Sequence, residues 1–485
     1  MNEVSDTTSS SSGDSTTRKS CLRQRYLVTF MILLMTINLF ANRSLIGETL
    51  GYFAVIRHKT NHSLFLNQCV ELQRDAVKKS PNNFTKILTI DSDTSKSIQG
   101  IFFISYLITH FPSGIYSDSR NPKHLISFLT IACSLINFSS PSLIKVTKGN
   151  VNVMRLVTVL LGAFQGIFFP ATATVVAHWA PTRERAALTS ITVAGLFFGL
   201  STGAIGTKFI VQSSGDWTTP FYVFGAIGII LTLVWELWVF PNPHKDPRIT
   251  PEEKQYLDQE MHEIIDHRRK SIPYVAIITS FQVWIMILAH ISNRFVWNIT
   301  GVSLPDYMQD VLKYSHDQSK LMSSLPLLPM AVTLIILGYF SDWITRNGHV
   351  NVLTMRKLFS SIGIMGPPIY MLTGSYAGCN RFGAVVMLVI GVCLMGFSFL
   401  GLYLLPMDLS PNYTGFLTSF TNGVGSLAGY FVKKMSTWLV PDKTILQYRH
   451  LFWVSLLIAV IVNTVYVMFG TTKLQSWNRP LVKRK

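Results

Sequence analysis

Apolar residues fall into twelve long runs separated by polar stretches. The first six runs cover 26–56, 98–116, 125–144, 154–177, 187–211 and 219–240. The second six cover 277–303, 321–341, 358–374, 384–405, 414–432 and 451–470. A helix of about 20 apolar residues crosses a hydrocarbon core of about 30 Å. Backbone in lipid has to satisfy its own polar groups, and these runs are too long for barrel strands. The pattern therefore predicts an all-α polytopic membrane protein of twelve transmembrane helices, with both termini on one side. Two hydrophilic excursions break the rhythm, at 57–97 and at 241–273.

A five-residue pattern divides the chain into halves. Gly114-Ile115-Tyr116-Ser117-Asp118 ends the second run, and Gly338-Tyr339-Phe340-Ser341-Asp342 ends the eighth. Basic residues follow each copy, Arg120 and Lys123 in one case and Arg346 in the other. Recurrence at matching places predicts two six-helix bundles related by parallel duplication, the build of a major facilitator transporter. The expected organisation is a disordered tail over 1–25, bundles over 26–240 and 274–470, a linker over 241–273 and a tail over 471–485. The linker contains Pro241-Asn242-Pro243-His244 and a charged run from Glu252 to Lys270. It is too polar to span, and a helix on the cytoplasmic surface is expected there. Gly114, Asp118, Gly338 and Asp342 are read as a gating motif. A carboxylate at such a helix end can cap a neighbouring helix or pair with a loop arginine, holding the cytoplasmic side shut. The plainer reading is helix termination.

Composition agrees with lipid as solvent: 48% of residues are hydrophobic and 14% charged, against about 25% charged in soluble domains. The net charge of +17 raises the question of nucleic acid, but its distribution answers it. Segments on the N-terminal side hold 22 Lys and Arg, the short loops opposite hold nine, and the excursion 57–97 holds seven. That bias places both tails in the cytoplasm, and no nucleic-acid partner is expected. The Ser/Thr-rich start has no short apolar core before a cleavage site, so it is not read as a signal peptide. The excursion 57–97 then lies outside and carries glycosylation sequons at Asn61 and Asn83. Those at Asn42, Asn137 and Asn298 fall in or near runs and are expected to stay unmodified. Of five cysteines, Cys69 and Cys379 fall in outside loops. A bridge between them is open, with two unpaired thiols the expected state.

No phosphate-binding Gly-Lys loop, zinc helix or nucleophile elbow occurs, so neither an enzyme nor a cofactor or metal is expected. The chemistry has to lie in ionisable groups within the runs, which are costly unless they face a cavity or one another. Four are basic: Arg43, Arg155, Lys208 and Arg294. Arg43 and Arg294 occupy equivalent helices of the two halves, and a guanidinium fork suits carboxylate or phosphate. Arg43, Arg294, Asn298 and His290 are the candidate substrate-binding residues. Against this stand an Arg43–Glu48 ion pair and snorkelling of Arg294. Snorkelling is the default for Arg155 and Lys208. Glu48 is a candidate proton carrier, and Glu236 is read as interfacial. His110 and His290 could titrate near neutrality, although a lone histidine in a bundle is more often a packing hydrogen-bonder.

A family resemblance rests on longer motifs. Phe169-Pro170-Ala171 and Trp179-Ala180-Pro181-Thr182-Arg183-Glu184-Arg185 stand in the first half. The second half has Ala289-His290-x-Ser292, Leu304-Pro305-x-Tyr307-Met308, Ser323-Ser324-Leu325-Pro326 and Arg356-Lys357-x-Phe359-Ser360. Ile362-Gly363, Gly366-Pro367, Pro411-x-Tyr413-x-Gly415, Thr421-Asn422 and Pro441-Asp442 follow. Together they resemble the sodium/phosphate and organic-anion cotransporter family, which includes sialin, the vesicular glutamate transporters and the type I sodium-phosphate cotransporters. The resemblance implies alternating-access movement of a small anionic solute, often with a proton or sodium as coupling cation, and Arg43 looks like the family's first-helix arginine.

The departures are informative. Gln165 stands where the family has a glutamate, and Ala173 where it has a histidine. The seventh-helix arginine of the vesicular glutamate transporters aligns with Asn293, about 100° around the helix from Arg294. Glutamine cannot titrate, so coupling would pass from Gln165 to Glu48 or His290, to sodium, or be lost. Weaker dependence on a proton gradient than in the family's lysosomal members is expected. An uncoupled uniporter or channel-like conductance, and a non-transporting sensor that keeps the fold, are the alternatives. No acidic dileucine signal is present, which points to the plasma membrane over lysosomal or vesicular membranes.

Overall fold

The computed structural model describes residues 23–57, 88–119, 121–261 and 272–478. The expectations for the N-terminal tail, the sequons Asn61 and Asn83, Cys21, Cys69, Arg120 and the last residues of the chain lie outside these. The side carrying the start of the first helix is called inner.

The first half is built from α1 (Gln24–Phe53), α2 (Ser92–Ser119), α3 (Pro122–Val146) and α4 (Val151–Trp179). It continues with α5 (Arg185–Ser201), a π-turn over Thr202–Gly206, α6 (Thr207–Ser214) and α7 (Thr219–Trp238). Short strands β1 (Ala54–Arg57) and β2 (Leu88–Asp91) pair in parallel at the outer ends of α1 and α2. The polar linker contains α8 (Pro251–Met261). The second half has α9 (Tyr274–Ile278), α10 (Phe281–Asp310), α11 (His316–Ser324), α12 (Leu327–Arg346) and α13 (Val352–Tyr376). It ends with α14 (Arg381–Leu402), α15 (Leu405–Leu409), α16 (Thr414–Ser426), α17 (Ala428–Leu439) and α18 (Ile445–Phe469).

Polar loop residues start these helices by supplying oxygen to their first free N–H groups. Asn121 accepts from Lys123 with Pro122 in the first turn, Asn351 accepts from Thr354, and Asn380 accepts from Gly383. Ser315–Gln318 and Thr444–Gln447 form reciprocal capping boxes. The last of these begins α18 at Ile445, earlier than the apolar run alone suggests, because a cap and not apolarity decides where a helix starts. In the same way α2 begins at Ser92, ahead of its apolar run. The run at 277–303 is broken by Thr279 and Ser280, and the long helix starts at Phe281.

Nine helical segments of the described residues are long and apolar enough to cross a membrane. The three remaining membrane-length segments predicted from the sequence are α10, α13 and the α16–α17 pair. They carry more polar residues because their polar positions face protein: His290, Asn293, Arg356, Ser360, Thr421 and Asn422 are all buried. The halves meet with α2 packed along α16 and α5 along α12.

Cys379 is disulfide-bonded, whereas Cys133 and Cys393 are free. The expectation of two unpaired outside thiols is therefore corrected.

Candidate functional site

Arg43 sits in the outer half of α1, half-buried among aromatic rings. Its guanidinium carbon lies 4.4 Å from the Phe102 ring centre, 5.0 Å from Phe103, 5.7 Å from Phe40 and 5.9 Å from Tyr106. Among the described residues the groups that act on its charge are Tyr106 and Arg294, and none is a carboxylate. The ion pair with Glu48, more than one turn further along α1, is not formed. The rings offer cation–π attraction, and among the described residues the guanidinium donates no hydrogen bond, so its fork is left for another partner.

Arg294 does not snorkel. It is held at mid-depth of α10, where its Nε donates to Asn422 Oδ1 of α16 at 2.9 Å and its Nη2 donates to the same oxygen. The Tyr403 ring centre lies 5.8 Å away. The second amide atom of Asn422, Nδ2, lies 3.2 Å from His110 Nε2 of α2, and His110 Nδ1 lies 2.7 Å from the Gly166 carbonyl of α4. Tyr106 stacks on His110 with ring centres 5.2 Å apart, and it feels the charges of both Arg43 and Arg294. One cation from each half thus acts on this one tyrosine.

The other candidates fall around this cluster. His290 is one turn inward of Arg294, its ring 5.2 Å from Tyr403 and both nitrogens buried without a partner. Asn298 is one turn outward, but it donates to the Arg294 carbonyl at 2.7 Å and packs beside Gly429 of α17. It therefore serves helix packing in this arrangement. Gln165 is buried on α4; its Nε2 donates to the Leu39 carbonyl at 3.3 Å, and its Oε1 has no partner. A cavity of about 30 Å³ lies beside Tyr403, lined in part by Thr36, Thr172, Thr189, Thr192 and Thr418.

The inner ends of the two halves are tied reciprocally. Asp118 Oδ1 accepts from the Gly415 N–H at 3.0 Å and Oδ2 from the Phe416 N–H at 2.7 Å, at the start of α16. Thr174 adds a hydroxyl donor at 3.0 Å. Asp342 does the same for α5, accepting from the Ala186 N–H at 3.2 Å and the Ala187 N–H at 2.7 Å. Each carboxylate comes from one half and caps a helix of the other, where the N-terminal dipole favours negative charge. The glycines of the repeat make this approach feasible. A methyl group on Gly114 would overlap Ser419 and the Gly415 carbonyl, and one on Gly338 would overlap Ser190 and the Ala186 carbonyl.

Further inner ties were not legible in the sequence. Asp408, on α15, joins Arg185 of the first half at 3.2 Å and Arg356 of the second at 2.8 Å, all three nearly fully buried. Arg25, 1% exposed, pairs with Glu184 at 2.8 Å and with Glu253 of α8 at 3.1 Å. Glu253 also caps α1, accepting from the Gln24 N–H at 2.8 Å. Glu236 takes Lys123 at 3.2 Å, clamping α7 to α3. These arginines stand at the ends of apolar runs and read as surface charges. Their acids are remote in sequence, and although Glu184, Arg185 and Arg356 lie in quoted motifs, nothing in those motifs names a partner.

The chain matches the Major Facilitator Superfamily model over residues 26–432. It is a member of the major facilitator superfamily. Among curated proteins this member is 29% identical over 407 residues to human sialin, covering 83% of the chain and 80% of the relative. It is 26% identical over 459 residues to sodium-dependent phosphate transport protein 1 of Rattus norvegicus, covering 93% and 95% respectively. Among solved structures, a proton:xylose symporter bound to 6-bromo-6-deoxy-D-glucose matches with a TM-score of 0.66 at 16% identity, covering 93% of this chain and 97% of the other. That identity speaks to fold alone. The superfamily fold and the resemblance to the phosphate and organic-anion cotransporters are thereby borne out, and the protein is a multi-pass membrane transporter.

Proposed function

We propose that this transporter moves a small anion, inorganic phosphate or an organic carboxylate, by alternating access between the two halves. The observation that carries the reading is the pair Arg43 and Arg294, one cation from each half, both acting on the same tyrosine, with no carboxylate among the described residues acting on Arg43. Two like charges brought together in a poorly solvated place are costly, and an anion between them removes the cost. Such a ligand contacts both halves at once, so its binding can draw them together on the outer side while the inner ties release. The named relatives support phosphate among the candidates. Gln165, which cannot carry a proton, favours uncoupled exchange as a second reading.

The test is uptake of labelled phosphate and glutamate by vesicles reconstituted with the whole protein, with xylose as a neutral control. Saturable uptake of an anion and none of xylose is expected; the reverse pattern refutes the anion site.

All twelve segments cross the membrane in this reading, both tails are cytoplasmic, and the plasma membrane is the expected site. Asn61 or Asn83 then carries glycan. Glycosidase treatment should increase gel mobility of the wild type and leave the Asn61→Gln/Asn83→Gln protein unchanged. A wild-type band that does not move counts against an outside position for that loop.

A further inference from the structure

The hydrogen-bond chain from Arg294 to Gly166 runs in one direction only, and its ends fix every proton in it. A guanidinium only donates, so Asn422 presents Oδ1 to Arg294 and hence Nδ2 to His110. A carbonyl only accepts, so His110 carries its proton on Nδ1, 2.7 Å from the Gly166 oxygen. Nε2 is left as the acceptor for Asn422. The chain therefore requires neutral His110 and crosses from one half to the other between His110 and Asn422.

We propose that His110 is the proton carrier that couples anion binding to transport, acting on Arg294 through Asn422; this rests on the anion-site reading above. A proton taken up at Nε2 makes both ring nitrogens donors. The Asn422 amide then has to turn its oxygen towards His110, which brings its NH₂ group against Arg294. Arg294 loses its protein acceptor and offers its fork to an anion. The anion in turn offsets the added imidazolium charge. Proton and anion thus favour one another, as symport requires. One proton enters with the anion at Nε2 and leaves when the amide returns to Arg294.

The surroundings support strict coupling. The groups facing His110 are Tyr106 on its own helix, Asn422 and Arg294 from the second half, and Gly166 on α4. Tyr403 reaches the Asn422 oxygen at 3.4 Å. Of the charged groups among the described residues, Arg294 is the one that acts on His110, so an anion at Arg294 is felt at His110. His290, with no partner on either nitrogen, has no such link to either half.

The experiment uses whole protein in vesicles, with membrane potential clamped and labelled phosphate and glutamate as probes. One proton per monovalent anion lets a one-unit acid gradient support accumulation of up to about tenfold. The wild type should accumulate one probe towards that value and should take up protons when the anion is added to a lightly buffered suspension. His110→Gln, which is polar but cannot titrate, should still exchange labelled for unlabelled anion while accumulating no more than without a gradient. Asn422→Ala should make apparent anion affinity independent of pH. Wild-type exchange without proton uptake, or gradient-driven accumulation by His110→Gln, overturns the assignment and leaves the anion site standing. Absence of exchange with either anion in the wild type overturns both.

Discussion

Arg43→Ala is expected to lower anion uptake by at least about a hundredfold while the protein still reaches the membrane. Each hydrogen bond from a guanidinium to an anion contributes about 1.5–3 kcal/mol, and a two-pronged contact loses both together. The fold loses little, because Arg43 makes cation–π contacts and, among the described residues, no ion pair. Arg43→Lys keeps the charge without the fork, so apparent affinity should fall by about tenfold with maximal rate largely kept. The contrast with Arg294 is useful. Arg294→Ala leaves Asn422 and the chain to His110 without their donor, so its defect should include lower protein yield. Uptake at wild-type level by Arg43→Ala, with normal surface amount, removes this residue from the site.

The second large effect concerns the reciprocal caps. Asp118→Asn and Asp342→Asn each replace one accepting oxygen by an NH₂ group facing a helix N–H. Loss of a cap costs about 1 kcal/mol, up to about 2, and here each carboxylate serves two N–H groups. Asp118 lies eight residues beyond His110 on α2, about 12 Å at the helical rise, so neither variant touches the central cluster. Turnover should fall by about tenfold, with KM within about threefold of wild type. The two variants should resemble one another because the contacts are related by the internal repeat. Selective loss of affinity at unchanged turnover contradicts a gating role.

What could be read from the sequence depended on how local each signal was. Asp118 and Asp342 were visible because the motif recurs, and a repeat is detectable without any knowledge of contacts. Arg43 stood out because a guanidinium inside a long apolar run is rare. Asn422 and the arginines around Asp408 lie in family motifs, but no repeat or charge pattern marks which residues they meet. His110 and Asn422 meet across 312 positions of chain, and Arg25 and Glu253 across 228; only tertiary packing creates those pairs. Asn298 shows how position on a helix leaves contacts open. It lies one turn from Arg294 and shares its helix, yet it turns towards α17. Helix edges slipped at Ser92, Phe281 and Ile445 because apolar runs report lipid contact, whereas caps and turns set the ends.

The central claim is that one anion site is presented alternately to the two sides by movement of the halves. The most direct measurement is trans-stimulation: vesicles preloaded with unlabelled phosphate or glutamate are placed in the same labelled anion at equal pH and potential. The account predicts label entering faster than into empty vesicles, saturating with anion, and blocked by Arg43→Ala. Labelled anion entering at a rate indifferent to internal anion and proportional to its outside concentration contradicts it, and marks a conducting pore instead.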